Sequence, residues 1–348
     1  MRSFLKPAAG LTCLFALTVT GCSSSSGDSS DAAPKATEKA ETTPSESASP
    51  TPSASSSSTS YAPYVSVTTA SDMDSSGSPT TYNLAFAIAS GSSCTPKWNG
   101  TTAIDNAAVK SRIAALKTSG ATVRVSFGGA SGKELAETCT SVTALAKAYG
   151  EALDAAGSTQ ADFDIEGDTL TDSASVALRS KAIAVLQKER TDLKVSFTLP
   201  VMPSGLDSDS LALLESANDN AVQVSTVNIM TMNYGESYTA DMGDYAITSA
   251  TATHTQLKKV FGLSDAGAWQ GMALTSMLGV NDVSGETFSL SDAAQVRKFA
   301  EEKEVAWVSM WSTFRDQQCE SGSSDDDAAT DCSGVTQASG AFGEAFAG

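Results

Sequence analysis

The chain has 348 residues and carries 22 Lys and Arg against 40 Asp and Glu, a formal charge of −18 at neutral pH. No cluster of Lys or Arg interrupts that acidity, which argues against nucleic acid or an anionic lipid surface as a partner and leaves neutral or cationic substrates, glycans among them. The only histidine is His254 and no Cys-x-x-Cys occurs. A zinc centre or a Ser-His-Asp triad is therefore not expected, and His254 is placed on a helix surface.

In chain order, residues 1–22 come first. Arg2 and Lys6 precede the apolar run Leu11–Val19, and Val19-Thr20-Gly21-Cys22 follows. That is the layout of an export signal, too short to span a membrane. The cysteine after small residues resembles a bacterial lipobox. The resemblance implies lipidation at Cys22, an outer-face location with membrane contact only through the anchor, or secretion if the anchor is unused. Residues 23–60 are almost wholly Ser, Thr, Pro, Ala and Glu. They cannot bury enough apolar surface to offset chain entropy and read as a disordered, stalk-like tether. Residues 61–348 are then one domain, a monomer in our reading. Cys94, Cys139, Cys319 and Cys332 lie in it, an even number that implies two disulfides in an exported chain. Cys94–Cys139 and Cys319–Cys332 are the expected pairs, since the second brackets a single acidic loop.

Eight apolar, β-branched runs read as strands: Tyr64–Thr69, Tyr82–Ala89, Thr122–Phe127, Ala161–Ile165, Lys194–Leu199, Val224–Met232, Met272–Met277 and Val305–Trp311. Helical spacing marks Asn106–Thr118, Leu135–Ala156, Ser173–Glu189, Ser208–Ser216, Tyr245–Val260 and Ser291–Glu302. This alternation predicts an α/β fold with a parallel sheet, and at this length a closed (β/α)8 TIM barrel. The crossover from Thr69 to Tyr82 is too short and polar for a helix. Polar residues gather at the C-terminal strand ends, where such barrels place their sites: Gly128-Gly129, Glu166-Gly167, Asn233-Tyr234-Gly235, Asn281-Asp282 and Trp311.

The fourth strand carries the chemistry. In Gln160–Asp168, Asp162, Asp164 and Glu166 alternate with Phe163 and Ile165. Alternate strand residues share a face, so three carboxylates point into the barrel, rising toward its mouth. Repulsion and burial should keep at least one of them protonated, as cleavage of a glycosidic bond requires. A calcium loop fits poorly, because its closing position falls on Ser173, so no metal or cofactor is expected.

The strand resembles the DxxDxDxE signature of glycoside hydrolase family 18, the chitinases and related endo-N-acetylglucosaminidases. Val125–Gly129 resembles that family's SxGG strand, Val227–Gly235 its Met-x-Tyr strand, and Met310-Trp311 its closing tryptophan. The resemblance implies that Glu166 protonates the glycosidic oxygen, that Asp164 orients the substrate's acetamido group, and that Asp162 tunes Asp164. The acetamido oxygen itself would then be the nucleophile, with retention of configuration. Tyr234 would hold that oxygen, and Trp311 would lie beneath the sugar beside Met232 and Asn233. Thr159 and Gln160 replace the signature's first Asp and Gly, and no acid flanks Tyr234. Asp282, after the seventh strand, is a candidate for substrate contact. Trp98 could extend the sugar groove or cover Cys94. The implied activity is hydrolysis of β-1,4 bonds in chitin. The alternatives are an endo-β-N-acetylglucosaminidase acting on N-glycans, or a glycan-binding protein without catalysis.

Overall fold

A computed structural model of the protein describes residues 59–323 and 330–348. Cys22, the signal-like segment and the tether up to residue 58 lie outside the described residues. The barrel strands are β1 (Tyr64–Ser66), β2 (Thr81–Ser90), β3 (Thr122–Gly128), β4 (Gln160–Asp164), β5 (Lys194–Pro200), β6 (Val224–Met230), β7 (Met272–Met277) and β8 (Trp307–Trp311). They pair in parallel in chain order from β1 to β8. The segment leading into β1 completes the circle. Ser60–Tyr61 pairs with β8, the Ala62 N–H donates to the Val308 carbonyl at 2.9 Å, and the Asn83 N–H donates to the Pro63 carbonyl at 2.9 Å. A sheet closed this way leaves no edge strand at the seam. Thr59 and Ser60, expected in the tether, belong to the barrel: the buried Thr59 hydroxyl donates to the Ala300 carbonyl at 3.0 Å.

Helices α1 (Ala107–Leu116), α2 (Val142–Ala156), α3 (Ser173–Glu189), α4 (Ser208–Asp219), α5 (Met242–Phe261) and α6 (Leu290–Lys303) form the outer layer, and α7 (Ala341–Ala347) follows the barrel. In α2, Leu145, Tyr149, Leu153 and Ala156 recur at helical spacing and are buried. The helix expected over Leu135–Ala156 is broken. A single 3-10 turn covers Leu135–Glu137, and α2 starts only after Ser141, whose hydroxyl accepts the Ala144 N–H. Cys139 sits in the gap and bonds to Cys94, and Cys319 bonds to Cys332. His254 is not on a helix surface. It is buried in α5, stacked on Trp269 at 4.0 Å, with Nε2 2.9 Å from the Asp265 carbonyl oxygen.

Alternation along the strands sorts their side chains. Phe127, Phe163 and Phe197, on β3, β4 and β5, pack outward as a ladder beside Tyr149 of α2, with centroids 4.8–5.7 Å apart. One position lower, Ser126, Asp162 and Ser196 lie side by side in register and point inward. Apolar side chains thus hold the helices while polar ones fill the cylinder.

Candidate active site

Asp162 lies at the middle of the barrel and is saturated. It accepts hydroxyls from Ser126 (2.7 Å), Ser196 (2.7 Å), Thr198 (2.9 Å) and Tyr64 (2.9 Å). The chain of polar contacts continues from Thr198 to Asn228 and on to Thr275, each link 2.9 Å. Beneath it, Arg124 donates to Asn83 at 2.6 Å and to Gln160 at 3.0 Å, with its guanidinium 3.9 Å from the centroid of Trp307.

Asp164, one turn of the pleat higher, is different. It is buried, and its Oδ1 has no hydrogen-bond partner. Burial foremost, then the charges of Glu166 and Asp162, push its carboxyl well above the usual carboxylate range. Glu166 follows the end of β4, and burial with the charge of Asp282 raises it too. Both acids line one cleft of about 430 Å³ at the C-terminal mouth. Two carboxyls with raised proton affinity in a shared cleft suit proton donation.

Close backbone approach makes this placement possible. Gly128 and Gly129 have φ of +97° and +89°, and a Cβ on Gly128 would fall 2.1 Å from the Asp164 carbonyl oxygen. The Gly129 N–H donates to that same oxygen at 2.9 Å. Only glycine fits there. The loop that follows brings Ala130, Ser131 and Gly132 to the cleft wall. It is tied down by the Cys94–Cys139 bridge and by Glu134, fully buried, which pairs with Arg179 at 2.8 Å and accepts the Tyr149 hydroxyl at 2.6 Å.

The apolar part of the cleft comes from Trp311 and Phe86, stacked at 5.6 Å, with the Tyr64 ring 5.9 Å from Trp311. The peptide bonds Ala85–Phe86 and Trp311–Ser312 are both cis. Met232, Asn233 and Asp282 also line it, and the Asn233 amide donates to Asp282 at 3.3 Å. Phe86, Tyr64 and Asn99 were not anticipated. Alternation in β1 could have indicated Tyr64, but in β2 it puts Phe86 on the outer face with Tyr82 and Leu84; the register shift between Leu84 and Ala87 turns it into the cleft.

Two expected contacts are corrected. Tyr234 does not reach the cleft. Asn233 turns the backbone through φ +55°, so the next side chain leaves the barrel and packs between Tyr238 and Tyr245. Its hydroxyl is 3.5 Å from the Ser249 hydroxyl of α5. Trp98 neither extends a groove nor contacts it: it is fully buried in the hairpin strand after β2, with its indole N–H on the Ile104 carbonyl at 3.2 Å. A further residue, Glu286, escaped sequence reading. Its buried carboxylate accepts the Gly235 N–H at 2.8 Å and so fixes the turn that aims Met232 and Asn233 inward.

Among the described residues, no group of three or more His, Cys, Asp or Glu is arranged to hold a metal ion, and no helix is long and apolar enough to cross a membrane.

No protein-family model matches the sequence. The chain is 34% identical over 275 residues to a probable bifunctional chitinase/lysozyme of Escherichia coli (strain K12), a match covering 74% of this chain and 31% of that protein. It is equally identical over 275 residues to endochitinase 11 of Metarhizium anisopliae, covering 74% and 52%. The chain thus spans about a third and about half of the length of these two relatives. Among solved structures, it is similar to active domain 2 of the thermostable chitinase from Pyrococcus furiosus, solved as catalytic-site mutants with chito-oligosaccharides. The TM-score is 0.73 at 28% identity, covering 82% of this chain and 92% of that one. With the acid strand at the cleft, the paired glycines beneath it and the tryptophan closing β8, the chain is similar to these chitinases over most of its barrel.

Proposed function

We propose that the protein is a chitinase, cleaving β-1,4 bonds between N-acetylglucosamine units with retention of configuration. One observation carries this reading: Asp164 and Glu166 share a cleft, both with raised proton affinity, over an aromatic floor of Trp311 and Phe86. Glu166 donates its proton to the glycosidic oxygen. Asp164 orients the acetamido N–H of the sugar at the cleavage point, and the acetamido oxygen attacks the anomeric carbon. The C–O bond to the leaving sugar breaks and a cyclic oxazolinium ion forms. Water then adds to the anomeric carbon while Glu166 takes back a proton. Such substrate assistance needs no second catalytic carboxylate. Asp162, held in place by four hydroxyls, supports Asp164 from below, and Asn233 and Asp282 contact the bound glycan. Tyr234 has no part in it.

We further propose that residues 1–22 direct export, that Cys22 is the lipidated residue, and that residues 23–58 tether the barrel outside the cell. Two disulfides suit an oxidising compartment.

The test is release of reducing ends from chitin oligomers. Fully N-acetylated oligomers should be cleaved and fully deacetylated ones ignored, because deacetylation removes the internal nucleophile. Equal cleavage of both rejects substrate assistance. Binding without cleavage makes the protein a glycan-binding relative of the family.

A further inference from the structure

The cleft has an uneven charge. Asp164, Glu166 and Asp282 line it, and among its described lining residues none is Lys, Arg or His. The Arg315 guanidinium is buried behind the wall, donates to the Val280 carbonyl at 2.7 Å and feels the charge of Asp282. Asp282 is exposed at the rim. Its carboxylate accepts from the neutral Asn233 amide at 3.3 Å. Its charge already reaches across the mouth, because it contributes to the raised proton affinity of Glu166. The chain as a whole, at −18, adds a field of the same sign.

A glycan entering this mouth meets three acidic side chains and no cationic one in the lining. We infer that the cleft sorts glycans by charge through Asp282, favouring partly deacetylated chitin, whose glucosamine units carry an ammonium, and rejecting chains with carboxylated sugars such as N-acetylmuramic acid. The inference rests on the proposed chitinase reading and narrows its substrate class. The reacting sugar must still be acetylated, so the ammonium belongs to a neighbouring unit. Because Asp282 is solvent-exposed, the gain from one such contact is small: about fivefold in affinity or less, and reduced by salt.

The experiment uses the full chain carrying Glu166→Gln, which binds without turnover. Calorimetry compares three hexasaccharides: fully N-acetylated chitin, the same oligomer with internal glucosamine, and an alternating N-acetylglucosamine–N-acetylmuramic acid chain. The expected order is glucosamine-containing tightest and muramic-acid-containing weakest, about fivefold apart on either side in low salt. High salt should compress the series. Adding Asp282→Asn should lower the ratio of glucosamine-containing to fully acetylated affinity by at least about half. A flat series, or a ratio unmoved by Asp282→Asn, overturns the inference while leaving chitinase activity of the unmodified protein intact. Binding of none of the three removes both readings.

Discussion

The two ends of the barrel enclose cavities of similar size and opposite chemistry. The C-terminal cleft, about 430 Å³, holds three carboxylates, and one of them, Asp164, keeps a buried oxygen without a partner. The N-terminal cavity, about 400 Å³, is lined by Arg124 and Lys194 and by no carboxylate. There Arg124 is spread over Asn83, Gln160 and the face of Trp307. One end leaves a buried carboxyl oxygen without a hydrogen-bond partner and the other satisfies its buried guanidinium with neutral side chains, with the hydroxyl-saturated Asp162 between them. A polar group left unsatisfied is free to react or bind; a satisfied one holds the structure together.

The sharpest way to break this contrast is at the upper end. Glu166→Gln should lower kcat on acetylated oligomers by about a thousandfold or more, read as reducing ends, with folding unchanged by circular dichroism. Asp164→Asn should lower kcat by about a hundredfold and also stabilise the fold. The sign follows from the raised carboxyl: the folded state binds that proton more tightly than the unfolded chain, so stability falls as pH rises from the ordinary Asp range through the raised value. The wild type should therefore lose Tm relative to Asp164→Asn between acid and neutral pH, and parallel Tm curves would contradict the raised proton affinity of Asp164.

At the lower end the effects invert. Arg124→Met should cost about 2 kcal/mol in urea unfolding, since it strands Asn83 and Gln160, yet keep kcat/KM within about threefold. A large loss of activity with little loss of stability would erase the distinction between the two ends. A smaller effect is expected from Asp282→Asn on pH dependence. Removing that charge lowers the proton affinity of Glu166, so the alkaline limb of kcat/KM moves to lower pH. Smallest of all, Tyr234→Phe should change kcat/KM less than about twofold, because only a 3.5 Å contact with Ser249 is lost.

Much of the architecture was legible because it rests on period. Alternation placed Asp162 and Asp164 inside and Phe163 outside, and all eight strands are where apolar β-branched runs stand. Local backbone turns were not legible. Nothing in Met-Asn-Tyr-Gly reveals that Asn233 adopts φ +55°, which exchanges Tyr234 for Met232 at the cleft. The stretch Thr138–Ser141 has no Pro or Gly to announce a break, so the helix was drawn through it. The segment around Trp98 reads as a polar loop, yet Trp98 is core, because a hairpin strand folds it under the wall. Glu286 and Arg124 carry no sequence signal at all. Each is a charged residue whose role is set by chain segments far away, Glu286 by the turn at Gly235 and Arg124 by Asn83 and Gln160.

The seam of the cylinder has a consequence for how the molecule comes into being. Because the strip at 60–66 zips onto Trp307–Val308, the first part of the chain waits for the last before the ring can shut. The acids are synthesised near the midpoint, whereas the indole floor at Trp311 arrives close to the end. A partly made polypeptide therefore carries Asp164 and Glu166 without the indole that shares their cleft, and long-range pairing of this sort assembles slowly. On the proposed chitinase reading, a complete sugar-binding cleft exists only once the ring has shut.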